Sequence, residues 1–355
     1  MSARPILVMA GGTGGHVYPA LAVAESLIGS GWPVVWLGTR EGLEARVVPA
    51  RGIPIEWVDV GGLRGKGFAA LCSAPVRLVR ALLQSAAVMR RHRPRAVLGM
   101  GGYVAGPGGV AAWLLRRPLV IHEQNAVGGT TNRLLARFAR RVLTGFPGVL
   151  GGECIGNPVR ADIAALPPPT TRLHGRSGAL RVLVLGGSQG ARALNAVVPF
   201  AIALLPADRR PQVRHQCGEK LVDEARAAWT AAGVRVDPVA FIDDVAAAYA
   251  WADVVVCRAG ALTVAELAAA GVASILVPLP HAVDDHQTAN ARYLVDAGAG
   301  ELLPESELTP ASLAAQLGRF TGDRATLLAM AVAARRVSRP DATAALVAAI
   351  REAAR

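Results

Sequence analysis

The stretch Ile6-Leu7-Val8-Met9-Ala10-Gly11-Gly12-Thr13-Gly14-Gly15-His16 joins an apolar run to a glycine-rich turn. The stretch Val182-Leu183-Val184-Leu185-Gly186-Gly187-Ser188-Gln189-Gly190 repeats this arrangement in the other half of the chain. Each predicts a buried strand, a turn that glycine makes easily, and a helix behind it. Such a turn presents backbone N–H groups and a helix N-terminus, which suit a phosphate, a diphosphate or a close-approaching sugar. Two copies predict two similar halves with a cleft between them.

Short apolar strands alternate with helical patterns along the chain, as in a parallel sheet covered on both faces. The predicted strands are 5–10, 33–38, 54–58, 96–100, 118–122 and 141–144, then 180–185, 212–216, 234–237, 253–257 and 274–277. The predicted helices are 19–30, 73–92 and 129–139, then 190–204, 219–231, 261–270, 285–296 and 309–319. The proline-rich stretch 157–177 predicts a linker, so we expect domains at 1–160 and 161–340. A final amphipathic pattern at 341–353 fits against either domain.

The formal net charge of +12 is concentrated in the first half. Residues 1–159 carry 18 Lys and Arg against 7 Asp and Glu, whereas residues 160–355 carry 20 against 19. This asymmetry predicts an anionic partner, for which nucleic acid, an anionic membrane and a phosphorylated substrate are all suitable. Aromatic residues make up only 5% of the chain and no nucleic-acid recognition motif occurs, which argues against nucleic acid. The four cysteines form no C-x-x-C pair, which argues against a zinc site.

The first glycine turn departs from the dinucleotide fingerprint, because Val17 occupies its third position and no acidic residue closes the second strand. A nicotinamide-dependent oxidoreductase is therefore a weak alternative. His16 follows the glycines and precedes the helix that we predict to begin near Pro19. It is either a general base or a helix-entry histidine bonded to backbone, and position alone leaves both open.

Two more turns of the first half carry candidate residues. Gly101, Gly102 and Tyr103 follow strand 96–100 and should share the sheet edge of His16, where they suit either a pyrophosphate or close helix packing. The stretch His122-Glu123-Gln124-Asn125 ends the next strand. Glu123 or Asn125 is expected to reach into the cleft, and His122 to pack in the interior.

The second half offers a cationic pocket. Arg258 and the helix start after Gly260 suit a diphosphate, and Glu266 one turn further suits a ribose diol or merely balances the helix dipole. Ser188 either binds a phosphate oxygen or caps a helix. Asp284 and Asp285 alone make a poor Mg²⁺ site, so no metal is expected.

Eight stretches, in order along nearly the whole chain, resemble the MurG family, which adds N-acetylglucosamine to lipid-linked N-acetylmuramoyl-pentapeptide in bacterial wall synthesis. They are GGTGGHVYPALAVAESL, GMGGYVAGP, HEQNAVGGTTNRLLA, IGNPVR, GGSQGARALN, FIDD, RAGALTVAELAAAG and VPLPHAVDDHQTANA. The resemblance implies a GT-B fold, with two Rossmann-like parallel-sheet domains separated by a cleft and the helix at about 341–355 returning to the first domain. A diacylglycerol glycosyltransferase of the same fold is a closer alternative than the oxidoreductase.

The resemblance also implies the site residues. Ile242 meets the uracil through its backbone, Glu266 bonds the ribose, and Asn125 and Gln287 reach the sugar. The remaining residues expected to bind UDP-N-acetylglucosamine are Thr13, Gly14, Gly15, Arg160, Ser188, Arg258, Ala261, Leu262, Thr263, Val264 and Ala265. The acceptor diphosphate is assigned to Gly14, Gly15, Gly101, Gly102 and Tyr103, and the general base to His16. Neither a cofactor nor a metal is implied.

The expected reaction is an inverting transfer to the C4 hydroxyl of undecaprenyl-diphospho-N-acetylmuramoyl-pentapeptide, which converts lipid I into lipid II. That places the chain in peptidoglycan synthesis, with consequences for cell shape, division and the cell cycle, and implies partners among wall-synthesis or division proteins. A lipid acceptor explains the basic first half through peripheral attachment to the cytoplasmic face of the inner membrane. Apolar residues between basic ones on helix 73–92 and just before it are expected to dip into the interface, and they are Phe68, Leu71, Val76, Leu78, Val79, Leu82 and Leu83.

Overall fold

The computed structural model describes residues 4–61, 68–187, 190–280 and 285–355, without the side chains of 68–73. The chain divides into two compact units. Unit 1 comprises Met1–Val159 and Pro340–Arg355, and unit 2 comprises Arg160–Arg339. Within the described residues, no helix has both the length and the apolar character needed to cross a bilayer.

Unit 1 is built on a seven-stranded parallel sheet in the order β3-β2-β1-β4-β5-β6-β7. Its strands are β1 (Ile6–Met9), β2 (Val34–Gly38), β3 (Ile55–Trp57), β4 (Ala96–Gly99), β5 (Leu119–Glu123), β6 (Arg141–Thr144) and β7 (Glu153–Cys154). Strand order reverses direction between β1 and β4, and parallel sheets bind ligands at the carboxyl ends of strands at such a switch point. The turns after β1 and β4 are therefore neighbours at the expected ligand edge.

Helices cover both faces of this sheet. They are α1 (Gly14–Gly29), α2 (Glu44–Val47), α3 (Phe68–His92), α4 (Ala105–Leu114) and α5 (Thr130–Leu135). Fully buried β1 contributes alternate side chains to two cores, with Ile6 and Val8 facing α1 and with Leu7 and Met9 facing the side of α3 and α4. This alternation explains the unbroken apolar character of the strand.

The last helix, α15 (Ala342–Ala353), belongs to unit 1 although it follows unit 2 in sequence. It packs on α1 and near β4 to β6, where Leu346 and Ile350 are fully buried. Arg141 on β6 pairs with Glu352 at 2.7 Å, and the guanidinium of Arg351 lies over the ring of Trp32.

Unit 2 repeats the design with a five-stranded parallel sheet in the order β12-β11-β10-β8-β9. The strands are β8 (Arg181–Leu185), β9 (Gln212–Gln216), β10 (Val254–Cys257), β11 (Ala273–Leu276) and β12 (Gly300–Leu302). Its helices are α6 (Ala161–Ala164), α7 (Pro169–Arg172), α8 (Arg192–Leu204), α9 (Val222–Ala231), α10 (Val245–Trp251), α11 (Ala261–Ala270), α12 (His286–Val295), α13 (Pro310–Gly322) and α14 (Arg324–Val337). The glycine turn after β8 occupies the place in this sheet that the turn after β1 occupies in unit 1.

Two predictions about these elements are wrong. Helix α1 begins at Gly14 instead of near Pro19, because a proline in the second turn removes only the N–H that would bond the carbonyl of Gly15. The predicted strand 234–237 forms no ladder, and only Val239 makes an isolated bridge, to Gln216. Pro238 supplies no N–H in this segment, which runs beside the edge strand β9. The sequence patterns also missed β7, β12, α2, α10 and α14. The stretch 157–177, predicted as a linker, contains α6 and α7, which pack against α11 and α14 of unit 2.

Candidate active site

The turn after β1 leads directly into the first turn of α1. Thr13 is the N-cap in extended conformation, and no side chain caps α1 within the part of the chain that the structure describes. The amides of Gly14 and Gly15 therefore stand at an open helix N-terminus, which favours an anion or a polar sugar oxygen. His16 lies inside the helix, in its first turn, and not ahead of it as the sequence predicted.

The glycines after β4 pack against this turn, as predicted from their shared sheet edge. Gly101 has φ +95°, and a Cβ there would lie 2.9 Å from both Nδ1 and Cε1 of His16. Gly102 has φ +79°, and a Cβ there would lie 2.3 Å from the carbonyl oxygen of Gly11. Only glycine permits both the backbone conformation and this close approach. The side chain of Tyr103 is exposed beside them.

The imidazole of His16 contacts the side chain of the residue that directly follows β5. Nδ1 of His16 lies 2.9 Å from Oε1 of Gln124. Gln124 in turn contacts His122, whose Nε2 lies 2.9 Å from the carbonyl oxygen of Gly156. Burial lowers the pKa of His122 to about 4, against the opposing effects of that carbonyl and of Glu123. His122 is thus the buried, bonded histidine that the sequence predicted.

Glu123 points to the opposite face of β5, because side chains alternate along a strand. Its Oε2 accepts from the amide of Gly129 at 3.0 Å and from Nδ2 of Asn132 at 2.9 Å. Its Oε1 accepts from the backbone N–H of Asn125 at 3.0 Å. Glu123 is therefore buried and shapes the loop that carries Asn125, instead of reaching out to a ligand itself.

Sequence reasoning missed Glu44, a buried carboxylate behind the first glycine turn. Its Oε2 accepts from the N–H of Gly12 at 2.9 Å, and its Oε1 accepts from the amide and hydroxyl of Thr39 at 2.9 Å and 2.7 Å. Added Cβ atoms on Gly11 and Gly42 would collide with the carboxylate, so glycines make room for it. An anion that already uses the N–H of Gly12 disfavours a phosphate there, which weakens the nicotinamide alternative further. The glycines that make room for it, Gly11 and Gly42, were the signal in the sequence that could have pointed to Glu44.

The second glycine turn is held by an amide instead. The N–H of Gly187 donates to Oε1 of Gln216 at 3.0 Å, and Nε2 of Gln216 donates to the carbonyl of Gly187 at 3.1 Å. Helix α8 follows with Ala191 as its N-cap and no side-chain cap among described residues. Ser188, predicted to contact the diphosphate, lies outside the described residues.

Helix α11 presents an uncapped N-terminus in the predicted nucleotide site. Gly260 is its N-cap, its first turn contains no acid, and within the described chain no side chain caps it. The amides of Ala261, Leu262 and Thr263 therefore carry the partial positive charge of the helix. Val264 and Ala265 continue this turn, with Val264 buried in the sheet core.

Glu266, on the second turn of α11, lies among polar groups from α10 and the start of α6. The hydroxyl of Tyr249 donates to its Oε2 at 3.1 Å. Burial raises the pKa of Glu266 to about 7, although the Tyr249 hydrogen bond and the charge of Arg160 lower it. The charge of Arg160 interacts with those of Glu266 and Asp244, while its guanidinium pairs with Asp162 at 2.6 Å. The structure thus brings Arg160 and Glu266, both expected to bind the nucleotide, close together.

Arg258 is less accessible than the sequence indicated. Its guanidinium pairs with Glu305 and donates to the carbonyls of Val277 and Pro278 at 3.3 Å and 3.1 Å. These contacts brace the turn after β11 against the end of β10. A direct contact with a diphosphate would have to come from the remaining N–H groups of Arg258, so α11 is the better anion site in this region.

Two further residues predicted to bind the sugar nucleotide, Ile242 and Gln287, also lie in unit 2. Ile242 lines a pocket of about 390 Å³ with Val213, Val239 and Phe241, and Asp244 next to it caps α10 by accepting from the amide of Ala247 at 2.8 Å. Gln287 starts α12 and its Oε1 accepts from the amide of Leu279 at 2.9 Å. Its amide nitrogen is then the group that faces other partners. Arg214, Asp237 and Asp244 also line the pocket, so its wall combines apolar and charged side chains.

Comparisons with known proteins match both units. The sequence profile of the glycosyltransferase family 28 N-terminal domain matches residues 6–144, and that of the C-terminal domain matches residues 181–346. The UDP-N-acetylglucosamine–N-acetylmuramyl-(pentapeptide) pyrophosphoryl-undecaprenol N-acetylglucosamine transferase of Alkalilimnicola ehrlichii is 64% identical over 343 residues, which is 96% of each chain. The enzyme of the same name from Nitrosococcus oceani is 58% identical over 94% of each chain. The crystal structure of Acinetobacter baumannii MurG has a TM-score of 0.84 and 42% identity, over 99% of this chain and 100% of that one.

Proposed function

This chain belongs to glycosyltransferase family 28 and, within it, to the MurG family, and on that premise we propose how its residues carry out the family's reaction. It transfers N-acetylglucosamine from UDP-N-acetylglucosamine to undecaprenyl-diphospho-N-acetylmuramoyl-pentapeptide in peptidoglycan synthesis. The predicted GT-B fold and transferase class are confirmed. The 64% identity over nearly the whole chain is the observation that carries this conclusion, because it spans both units.

Unit 2 binds the sugar nucleotide in our proposal. The uracil rests in the pocket beside Ile242, and the carboxylate of Glu266 accepts the hydroxyl protons of the ribose. The diphosphate lies at the uncapped N-terminus of α11, and the half-buried Arg160, which interacts with Glu266 of the same helix, supplies a positive charge. Ser188 and the turn after β8 supply further donors, while Gln287 orients the sugar.

His16 is the general base. As the C4 hydroxyl oxygen attacks the anomeric carbon, its proton passes to His16, the bond from that carbon to the UDP oxygen breaks, and UDP leaves with the electron pair. A single in-line displacement inverts the α-linked sugar to a β-linkage. The acceptor diphosphate approaches the amides of Gly14 and Gly15, beside Gly101, Gly102 and Tyr103.

The departing UDP gains negative charge, which the uncapped α11 N-terminus and Arg160 stabilise without a metal ion. One well-placed donor group of this kind contributes roughly 3–4 kcal/mol to a developing anion. Arg258 holds the turn after β11 in place through Glu305 and the carbonyls of residues 277 and 278, and it supports this site mainly by positioning.

Attachment to the cytoplasmic face of the inner membrane is peripheral in our proposal. On α3, Val76 and Leu83 are 72% and 62% exposed, and Leu78 and Val79 are exposed beside them. Leu82 packs partly on the core, and the side chains of Phe68 and Leu71 lie outside the description. Trp113 and Leu114, at the end of neighbouring α4, add exposed apolar surface that the sequence patterns had not singled out.

Radiolabelled transfer to a short-chain, water-soluble form of the lipid acceptor tests the proposal. We expect His16→Ala to lower kcat by about 100-fold or more, the typical share of a general base, while UDP binding persists. His92→Ala, which changes a histidine of α3 paired with Glu56, is the matched control and should transfer normally. A chelator should leave the rate unchanged. Near-normal turnover by His16→Ala, or loss of activity with chelator alone, would contradict the mechanism.

A further inference from the structure

A chain of hydrogen bonds runs from His16 into the interior of unit 1. Nδ1 of His16 lies 2.9 Å from Oε1 of Gln124, and Nε2 of Gln124 lies 3.2 Å from Nδ1 of His122. Nε2 of His122 ends the chain 2.9 Å from the carbonyl oxygen of Gly156. Gln124 and His122 are 1% and 0% exposed, so bulk water does not compete for these bonds.

Backbone carbonyls fix every proton in this chain, because a carbonyl oxygen can only accept. The carbonyl of Gly156 requires the His122 proton on Nε2, which leaves Nδ1 of that ring as an acceptor. Nε2 of Gln124 also lies 3.1 Å from the carbonyl oxygen of His122, which identifies it as the amide nitrogen. The amide oxygen of Gln124 then faces His16, whose Nδ1 must carry a proton.

We propose that Gln124 and His122 are positioning residues that hold the His16 ring with its proton on Nδ1 and its lone pair on Nε2. The inference rests on the proposed role of His16 as general base and adds which nitrogen does the work. The proton of the acceptor hydroxyl passes to Nε2, and the resulting imidazolium keeps its Nδ1–H bond to Gln124. Without this network the ring would distribute its neutral proton over both nitrogens, and the Nε2–H form cannot accept a proton at the reacting position.

The surroundings confine the ring and the network independently of each other. A Cβ on Gly101 would lie 2.9 Å from Nδ1 and Cε1 of His16, so the backbone at Gly101 approaches the imidazole closely and leaves the ring little room to turn. Nδ2 of Asn157 donates to the backbone carbonyl of Gln124 at 3.0 Å, and Nδ2 of Asn132 donates to that of His122 at 3.3 Å. Because these bonds hold the main chain, a side-chain replacement at position 124 should leave the end of β5 in place.

The variant Gln124→Met removes the acceptor while keeping a similar side-chain volume. We expect kcat to fall about tenfold, the usual effect of losing one orienting hydrogen bond, with KM for UDP-N-acetylglucosamine unchanged. Gln84→Met, at a glutamine of α3 that bonds Asp59, makes the same chemical change in unit 1 and should leave kcat unchanged. An unchanged kcat in Gln124→Met, or a fall shared equally by kcat and UDP affinity, would overturn the proposal.

A double variant distinguishes loss of His16 positioning from a general disruption of the active site. In a His16→Ala background, Gln124→Met should not reduce the residual turnover further, because the network acts only through His16. A further tenfold loss would overturn the inference. If His16→Ala itself is near normal, the general base is wrong. If His16→Ala is impaired and Gln124→Met is normal, the assignment of His16 as general base is supported and only the positioning role of Gln124 and His122 is refuted.

Nitrogen spectra of histidine-labelled protein report the tautomer directly, without a turnover assay. The chain has seven histidines, and the His16 signals are identified by their loss in His16→Ala. For the neutral ring, in spectra recorded in alkaline buffer, we expect a protonated Nδ1 and an unprotonated Nε2. Gln124→Met should shift this ring toward a mixture of both tautomers. A protonated Nε2 in the unaltered protein would overturn the proposal.

Discussion

At the scale of single residues, Glu266 shows a conflict between its surroundings and its proposed use. Burial raises its pKa to about 7. A ribose diol binds best to the carboxylate, which accepts two hydroxyl protons and has none to donate. UDP binding must therefore draw Glu266 toward its charged form, and the free protein must release a proton when it binds near neutral pH.

This linkage gives UDP affinity a pH dependence with a defined sign. Below pH 7 more of Glu266 is protonated, so we expect UDP to bind about tenfold more weakly at pH 6 than at pH 8. Calorimetric titration at each pH measures it. The terminal phosphate of UDP titrates in the same pH range, so the variant Glu266→Gln is needed to measure the contribution of the phosphate alone. This variant should bind UDP more weakly at every pH, and its affinity should change less with pH. Identical profiles for the two proteins would refute the ribose role.

At the scale of elements, the turns after β1 and β4 depend on positive φ angles, which residues with a side chain rarely adopt. Gly101 combines φ +95° with contact to the His16 ring, so Gly101→Ala should both strain the turn and displace the imidazole. We expect a loss of stability of about 1–2 kcal/mol and a fall in kcat of more than tenfold. Gly31→Ala, at φ +80° with nothing within 4 Å, should show similar strain and a normal kcat. Thermal melts and transfer rates compare the two, and equal kcat values would contradict the contact.

Helix α3 carries the membrane proposal at this same scale. Replacing Val76 and Leu83 together by Glu removes apolar area and adds negative charge, so binding to anionic vesicles should fall by at least tenfold. Co-sedimentation with phosphatidylglycerol vesicles at low and high salt measures the effect. Leu204→Glu, at a 60% exposed leucine of α8 in unit 2, is the control and should bind normally. Equal binding by all three proteins would place the membrane contact elsewhere.

At the scale of the whole molecule, the sequence predicted the two sheets because their strands are apolar, short and followed by glycine turns. The sequence-based predictions were wrong where tertiary packing overrode a local sequence preference. Pro19 looked like a helix start but lies within α1, and the alternation at 234–237 gave no ladder beside an edge strand. The partners of His16 were out of reach because Gln124 is 108 residues away, and only the neighbouring β4 and β5 bring that part of the sheet edge together.

The two halves also hold their glycine turns in different ways. The N–H of Gly12 is bound by the carboxylate of Glu44, whereas that of Gly187 is bound by the neutral amide of Gln216. The Glu44 carboxylate disfavours a phosphate at the N–H of Gly12 and leaves the amides of Gly14 and Gly15 for the acceptor diphosphate. The neutral amide of Gln216 adds no such repulsion at the second turn. This difference supports assigning the nucleotide diphosphate to unit 2 and the attacking hydroxyl to unit 1.

Helix α15 links the end of the chain to unit 1, which makes the two units separable by experiment. Leu346 and Ile350 are fully buried against α1 and its sheet, so replacing both by Ala should cost about 4–10 kcal/mol and lower the melting temperature of unit 1. Because the proposed nucleotide groups Ile242, Glu266 and α11 all lie in Arg160–Arg339, UDP binding should persist while transfer is lost. Calorimetric melting with and without UDP distinguishes the units, and Glu352→Ala, which removes only an exposed ion pair, is the mild control. Loss of UDP binding in step with transfer would show that unit 2 depends on this helix for its fold.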